Sequence, residues 1–137
     1  MTQINAYLHF NGNCREAMTF YQGCLGGKLA LQTVGESPMA GQMPAAAQKN
    51  ILHAALTHDG ITLMGSDMIG PEGVKKGNIV SLTLVCSSKE EIVTFFSKLS
   101  AGGKVAHPLK EEFFGTYGDL TDKYGINWMF NYEKPRA

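Results

Sequence analysis

The stretch GTYGDLTDKYGINWMFNYE, Gly115 to Glu133, reads as two short strands joined by a tight turn at Lys123-Tyr124-Gly125, and it holds the single tryptophan of the chain. An earlier stretch, HAALTHDGITLMGSD from His53 to Asp67, repeats that layout, with its turn at Asp59-Gly60, a favoured hairpin pair. Two hairpins of one design point to a chain built twice.

The segments upstream of each hairpin support the repeat. Ile4, Ala6, Leu8 and Phe10 alternate with Asn5, Tyr7 and His9, the period of a strand with a helix on one side and an open second face. Asn13 then stands as a helix N-cap with Glu16 three residues on, a capping-box spacing. Cys14, Ala17, Met18, Tyr21, Cys24 and Leu25 form an apolar stripe, and Gly26-Gly27 ends the helix. Lys28 to Val34 is the next predicted strand, followed by a Pro-, Ala- and Met-rich loop, Glu36 to Asn50, long enough for a flexible lid or an interface flap. Strands are predicted at Ile51 to Thr57 and Ile61 to Ser66.

Met68 to Asn78 has the composition of a linker, and then the pattern restarts. Val80, Leu82, Leu84 and Cys86 alternate with Ser81, Thr83 and Val85. Ser88 caps a helix with Glu91 three residues later, and Ile92, Phe95, Phe96 and Leu99 form its stripe. Thr19-Phe20-Tyr21 matches Thr94-Phe95-Phe96, Glu16 matches Glu91, and Gly26-Gly27-Lys28 matches Gly102-Gly103-Lys104 in the same order. Lys104 to Leu109 is the strand after the second helix. The expectation is one α+β domain over residues 1–137, made of two βαβββ modules: the first about 1–67, a linker about 68–78, and the second about 79–133. Each module would form a curved mixed sheet of four strands with a helix on one face. The uncovered faces would meet each other, or those of a second chain, around a cleft that is the natural binding site.

Composition narrows the function classes. Twelve Lys plus Arg balance twelve Asp plus Glu, and the basic residues are scattered, so nucleic acid and anionic membrane surfaces are poor partners. No apolar run approaches the roughly twenty residues that cross a bilayer, and the first ten residues lack the pattern of a secretory leader, so a cytoplasmic protein is expected. Cys14, Cys24 and Cys86 are odd in number and show no CxxC spacing, which argues against a disulfide framework or a structural zinc site.

The stretches Tyr7 to Tyr21, His53 to Asp67 and Tyr117 to Asn131, with Asp122, Gly125 and Trp128 as an Asp-x-x-Gly-x-x-Trp element, resemble the vicinal oxygen chelate (glyoxalase, bleomycin-resistance and dioxygenase) superfamily. More narrowly, the chain resembles its PhnB-like branch, labelled 3-demethylubiquinone 3-methyltransferase-like. The resemblance implies the glyoxalase-like fold. It also places the metal-ligand positions of metal-dependent members on Asn5 or Ala6, Met64, Ser81 and Met129. None is an ordinary ligand for a hard or borderline divalent ion, so no metal and no other cofactor is expected. The chemistries that need such an ion to polarise oxygen become unexpected with it. The chain has no GxGxxG turn and no doubly wound architecture for a common methyl-donor site, so the branch's label does not translate into an expected methyl transfer.

The ligand-binding candidates are Asn5, Tyr7, His9, His53, Met64, Ser81, Thr83 and Met129. His9 and His53, with Tyr7 as hydrogen-bond donor, are the catalytic candidates. The two histidines fit an irregular metal site completed by Asp67 or Glu112, an anion site, or plain hydrogen-bonded sheet positions; the lack of regular ligand spacing favours the last. His58 and His107 read as surface loop residues, and Asp67 and Asp122 as turn caps. The expected protein is a homodimer that binds a small organic molecule. The alternative is an enzyme of undefined reaction, related to lyases, transferases or dioxygenases, acting through His9 and His53 or an irregular metal.

Overall fold

Alternation of apolar and polar side chains draws Ala6–His9 into a strand, β1, whose Leu8 is buried while Tyr7 and His9 stay exposed. The computed structural model describes residues 2–135. After β1 come a helix α1, Cys14–Leu25, and strands β2, Lys28–Thr33, β3, Ile51–His58, and β4, Ile61–Ser66. The second series is β5, Leu82–Val85, α2, Lys89–Leu99, β6, Lys104–Glu112, β7, Gly115–Thr121, and β8, Asn127–Glu133. The chain divides into two units, Met1–Lys75 and Lys76–Ala137. Each unit holds one four-stranded mixed sheet, ordered β1-β4-β3-β2 in the first and β5-β8-β7-β6 in the second. In both, the first strand runs parallel to the last and the remaining pairs are antiparallel, the α+β arrangement expected from the repeat.

In the first unit α1 packs on β2, β3 and β4. All six residues of its predicted stripe, Cys14, Ala17, Met18, Tyr21, Cys24 and Leu25, are buried. They meet Leu8, Ala54, Leu56 and Leu63 from the covered sheet face. Burying a side chain such as Met18 contributes about 1.5–3 kcal/mol. Gly65 lets the helix come close, since a Cβ there would lie 3.3 Å from Cys14 Sγ and 3.3 Å from Met18 Sδ. In the second unit Leu84, Leu120, Trp128 and Phe130 form the covered face, with Ile92 and Leu99 buried on α2. Phe96 meets the Phe130 ring edge-on at 4.9 Å.

The cap of α1 departs from its sequence reading. Asn13 is the N-cap residue, but its side chain makes no cap hydrogen bond. The free Cys14 N–H donates instead to Asp67 Oδ1 at 2.9 Å, while Ile51 N–H donates to Asp67 Oδ2 at 2.8 Å. A residue from the end of β4 therefore does the work expected of Asn13. For α2 the cap forms as read, with Glu91 N–H donating to Ser88 Oγ at 3.1 Å.

The loop before β3 carries three 3-10 turns, Val34–Glu36, Ala40–Gln42 and Ala45–Ala47. The Gln48 side-chain amide donates to the carbonyls of Ala40 at 2.8 Å and Met43 at 3.0 Å, giving the loop internal hydrogen bonds that its composition did not predict. No helix among the described residues is long and apolar enough to cross a membrane.

Candidate functional site

Strand register brings three of the candidate side chains of the first unit together on the sheet face opposite α1. Tyr7 pairs with Met64, and Met64 with Ala55, so these residues form one row across the sheet. In the next row His9 pairs with Ser66 and His53 with Gln32. The Tyr7 ring lies 5.4 Å from that of His9 and 5.8 Å from that of His53. Tyr7 Oη is 3.3 Å from His53 Nδ1. With Nδ1 unprotonated the phenol donates and Nε2 carries the hydrogen; with Nδ1 protonated the roles reverse and Nε2 presents a lone pair. Tyr7 is 40% exposed, so this cluster faces outward rather than into the core.

Asn5 lies just before β1 and lines a recess of about 410 Å³ with Gln3, Ile4, Ala6, Asp59, Gly60 and Thr62. That size is within the range of small-molecule sites. Ser81 likewise precedes β5. The strand residues beside Met64 and Met129 in register are thus Tyr7 and Thr83, one pleat further along than Asn5 and Ser81. The group Asn5, Tyr7, His9, His53 and Met64 belongs to the first unit, and the group Ser81, Thr83 and Met129 to the second.

On the uncovered face of the second sheet, Thr83, Met129, Asp119 and His107 form one row. His107 corrects its sequence reading: it lies within β6, not in a loop, and its Nδ1 is 3.0 Å from both Asp119 carboxylate oxygens. Pro108 prompted the loop reading, but β6 is the edge of its sheet, where a proline costs no ladder bond. Asp119 had no motif to mark it. Its two-residue spacing from Tyr117 and the alternation of β7 were the available signals.

Asp67, Asp122, Glu111 and Glu112 are committed elsewhere. Asp67 holds α1 and β3 as described. Asp122 is buried and accepts from Tyr124 N–H at 2.8 Å, Ile126 N–H at 3.1 Å and Trp128 Nε1 at 2.8 Å, which makes it a turn cap, as read, that also anchors the tryptophan. Glu112 pairs with Lys110 at 3.2 Å. Glu111 accepts from Lys89 at 2.7 Å and Lys134 at 3.1 Å, which holds its carboxyl below the usual range. Lys110, hydrogen-bonded to Glu112, is shifted upward. Among the described residues no three His, Cys, Asp or Glu side chains are grouped to hold a metal ion. Burial, aided by the Asp67 charge, pushes the Cys14 thiol up to about 12, and burial with the Glu91 charge pushes Cys86 up to about 11, so neither is a ready nucleophile at neutral pH.

The family model described as 3-demethylubiquinone-9 3-methyltransferase matches residues 2–130. Protein YjdN of Escherichia coli (strain K12) is 32% identical over 140 residues, covering 96% of this chain and 95% of its own. The crystal structure of protein PA1353 from Pseudomonas aeruginosa is 38% identical, with a TM-score of 0.84 over 98% of this chain and 100% of that one. The PhnB protein of Bacillus cereus is 28% identical, with a TM-score of 0.72 over 96% and 99% of the two chains. A glyoxylase/bleomycin resistance protein/dioxygenase domain from Frankia sp. EAN1pec, at 16% identity and a TM-score of 0.60 over 100% of this chain and 96% of its own, shares the fold.

Proposed function

The chain belongs to the 3-demethylubiquinone-9 3-methyltransferase family, the PhnB-like branch of the glyoxalase fold, and from that premise we propose that it binds a small organic molecule in a cleft on an open sheet face, without the usual divalent metal. The observation that carries this reading is the outward cluster of Tyr7, His9 and His53 beside Met64, with the Tyr7–His53 contact of 3.3 Å. Aromatic and thioether groups supply contact area and adapt in shape, while the phenol and imidazoles supply orienting hydrogen bonds. Thr83, Met129 and Ser81 offer a second set, a thioether with two hydroxyls, and Asn5 lines a recess of its own unit.

The donor set does not fit a hard or borderline divalent ion at the positions where metal-dependent relatives hold one. Thioethers at Met64 and Met129 prefer soft metals, and an amide and a hydroxyl bind weakly. No step is therefore routed through a metal. Cytoplasmic location and a homodimer belong to the same proposal; an odd number of cysteines without CxxC spacing and the open face expected of each module support them.

Native mass spectrometry of the purified protein tests metal, retained ligand and subunit count together. The expected result is a metal-free dimer that binds one small organic compound saturably. Stoichiometric Zn, Ni, Mn or Fe, lost on His9→Ala or His53→Ala, overturns the metal-free reading. For whichever compound binds, Tyr7→Phe and His53→Ala should each weaken affinity about tenfold, about 1.4 kcal/mol. The second reading, an enzyme using His9 or His53 as general base, is favoured only by the Tyr7–His53 contact. Turnover that survives both alanine variants removes these residues from any mechanism.

A further inference from the structure

The second sheet carries a feature that the small-molecule reading does not use. β6 loses register on both sides of His107, between Val105 and His107 and again between His107 and Lys110. Bulges re-aim side chains, and here the backbone is pulled onto β7 at Gly118, where a Cβ would lie 2.9 Å from the His107 carbonyl oxygen and 3.1 Å from Leu109 N. The distortion and the glycine that accommodates it together fix how His107 is presented. Its Nδ1 then sits 3.0 Å from each oxygen of Asp119. A carboxylate only accepts, so Nδ1 carries the hydrogen, and in the neutral ring Nε2 presents a lone pair.

An exposed hydrogen-bonded pair of this kind adds little stability, so stability does not account for the arrangement. His107 is 75% exposed and Asp119 33%, which leaves the ring open to a ligand while its partner is partly covered. Aromatic and thioether side chains sit on and beside the same strands. Phe114 and Tyr117 stack within 9° of parallel at 6.2 Å, and both are partly exposed, as is Met129 beside Asp119. Lys110 is the register partner of Tyr117, so its ammonium, paired with Glu112, borders the same surface.

We propose that the second sheet carries a proton-accepting site for a planar aromatic hydroxyl compound. The ligand ring lies against Tyr117, Phe114 and Met129, and its hydroxyl points at His107 Nε2. The O–H proton moves to Nε2, its bonding electron pair stays on oxygen as an aryloxide, and the resulting imidazolium is held by Asp119. Nothing is oxidised or reduced. The inference rests on the reading above, because it needs a small molecule beside Thr83 and Met129.

The test is titration of the full chain with 4-nitrophenol, whose anion absorbs in the visible, at neutral pH, where an ordinary imidazole is mostly neutral, with the free compound's own anion band subtracted. Backbone NMR shifts are followed in parallel. The expected result is a saturable rise of the anion band with shifts at β6, β7 and β8. His107→Gln should abolish that rise, and Asp119→Asn should cut it several-fold while shifts from bound compound persist. His58→Gln, an exposed histidine outside both sites, should leave it unchanged. Retained Trp128 fluorescence shows that the variants are folded. A band equal to wild type in His107→Gln, or compound bound to these strands only as the neutral phenol, overturns the proposal. Binding confined to the Tyr7 and His53 face overturns it while leaving the small-molecule reading standing. No saturable binding of this or any compound in a thermal-shift screen overturns both.

Discussion

Gly65 and Phe130 occupy corresponding places in the two sheets, and the difference between them explains how two units of one topology came to pack differently. Gly65 pairs with Leu8 and Ala54, and Phe130 with Leu84 and Gly118. In the first unit the sheet is small at that point and the helix fills the space, so α1 buries six side chains with Cys14 and Met18 against the glycine. In the second unit the sheet supplies the bulk. The Phe130 ring fills the interior, Phe96 meets it edge-on, and α2 buries only Ile92 and Leu99. A close-packed interior must be filled, but either layer can provide the bulk that fills it.

The buried carboxylates extend the comparison and give the largest expected effects. Asp122→Ala strands three donors and Asp67→Ala two. At about 1–3 kcal/mol for each stranded group, Asp122→Ala should cost about 4 kcal/mol or more and Asp67→Ala about 3 kcal/mol in urea unfolding. A larger loss for Asp67→Ala would reverse the ranking and show that the α1 cap, not the Trp128 turn, is the more critical tie. Next in size is Gly65→Ala, expected to cost about 1–3 kcal/mol because Phe10, Cys14 and Met18 must all give way. If Gly65→Ala were neutral by the same measurement, close approach of α1 would not be what distinguishes the units.

The smallest effect belongs to the surface of the second unit. Lys89 and Lys134 hold the folded Glu111 carboxyl below its ordinary value, so its contribution to stability is present above the unfolded carboxylate range and is lost as pH falls through the lowered folded value. Glu111→Gln should therefore lower the urea midpoint slightly near neutral pH, and the gap from wild type should close in acid. A gap that widened in acid would contradict the sign.

Much of this architecture was legible along the chain. The α1 stripe, the Ile92 and Leu99 positions of the α2 stripe (Phe95 and Phe96 are only half-buried), the two hairpins and the α+β repeat follow from periods of 3.6 and 2, which reflect local backbone geometry and need no knowledge of distant residues. The candidate cluster was partly legible for the same reason: alternation puts Tyr7 and His9 on one face of β1. The position of His53 beside them depends on the order β1-β4-β3, which no local period encodes. The α1 cap was misassigned because its acceptor, Asp67, lies 53 residues from Cys14. His107 was misplaced because Pro108 breaks a central strand but is tolerated at an edge, and edge status is a property of the whole sheet.

By itself, then, the sequence determined the number, type and order of the elements and which side of each helix is apolar, because those depend on residues within a few positions of one another. Only the tertiary structure decided that Asp67 caps a helix, that Asp119 faces His107, and that Tyr7 reaches His53. Each of those contacts joins strands or termini separated by 12 to 53 residues, and its geometry is set by register and sheet order rather than by the identity of the neighbours in the chain.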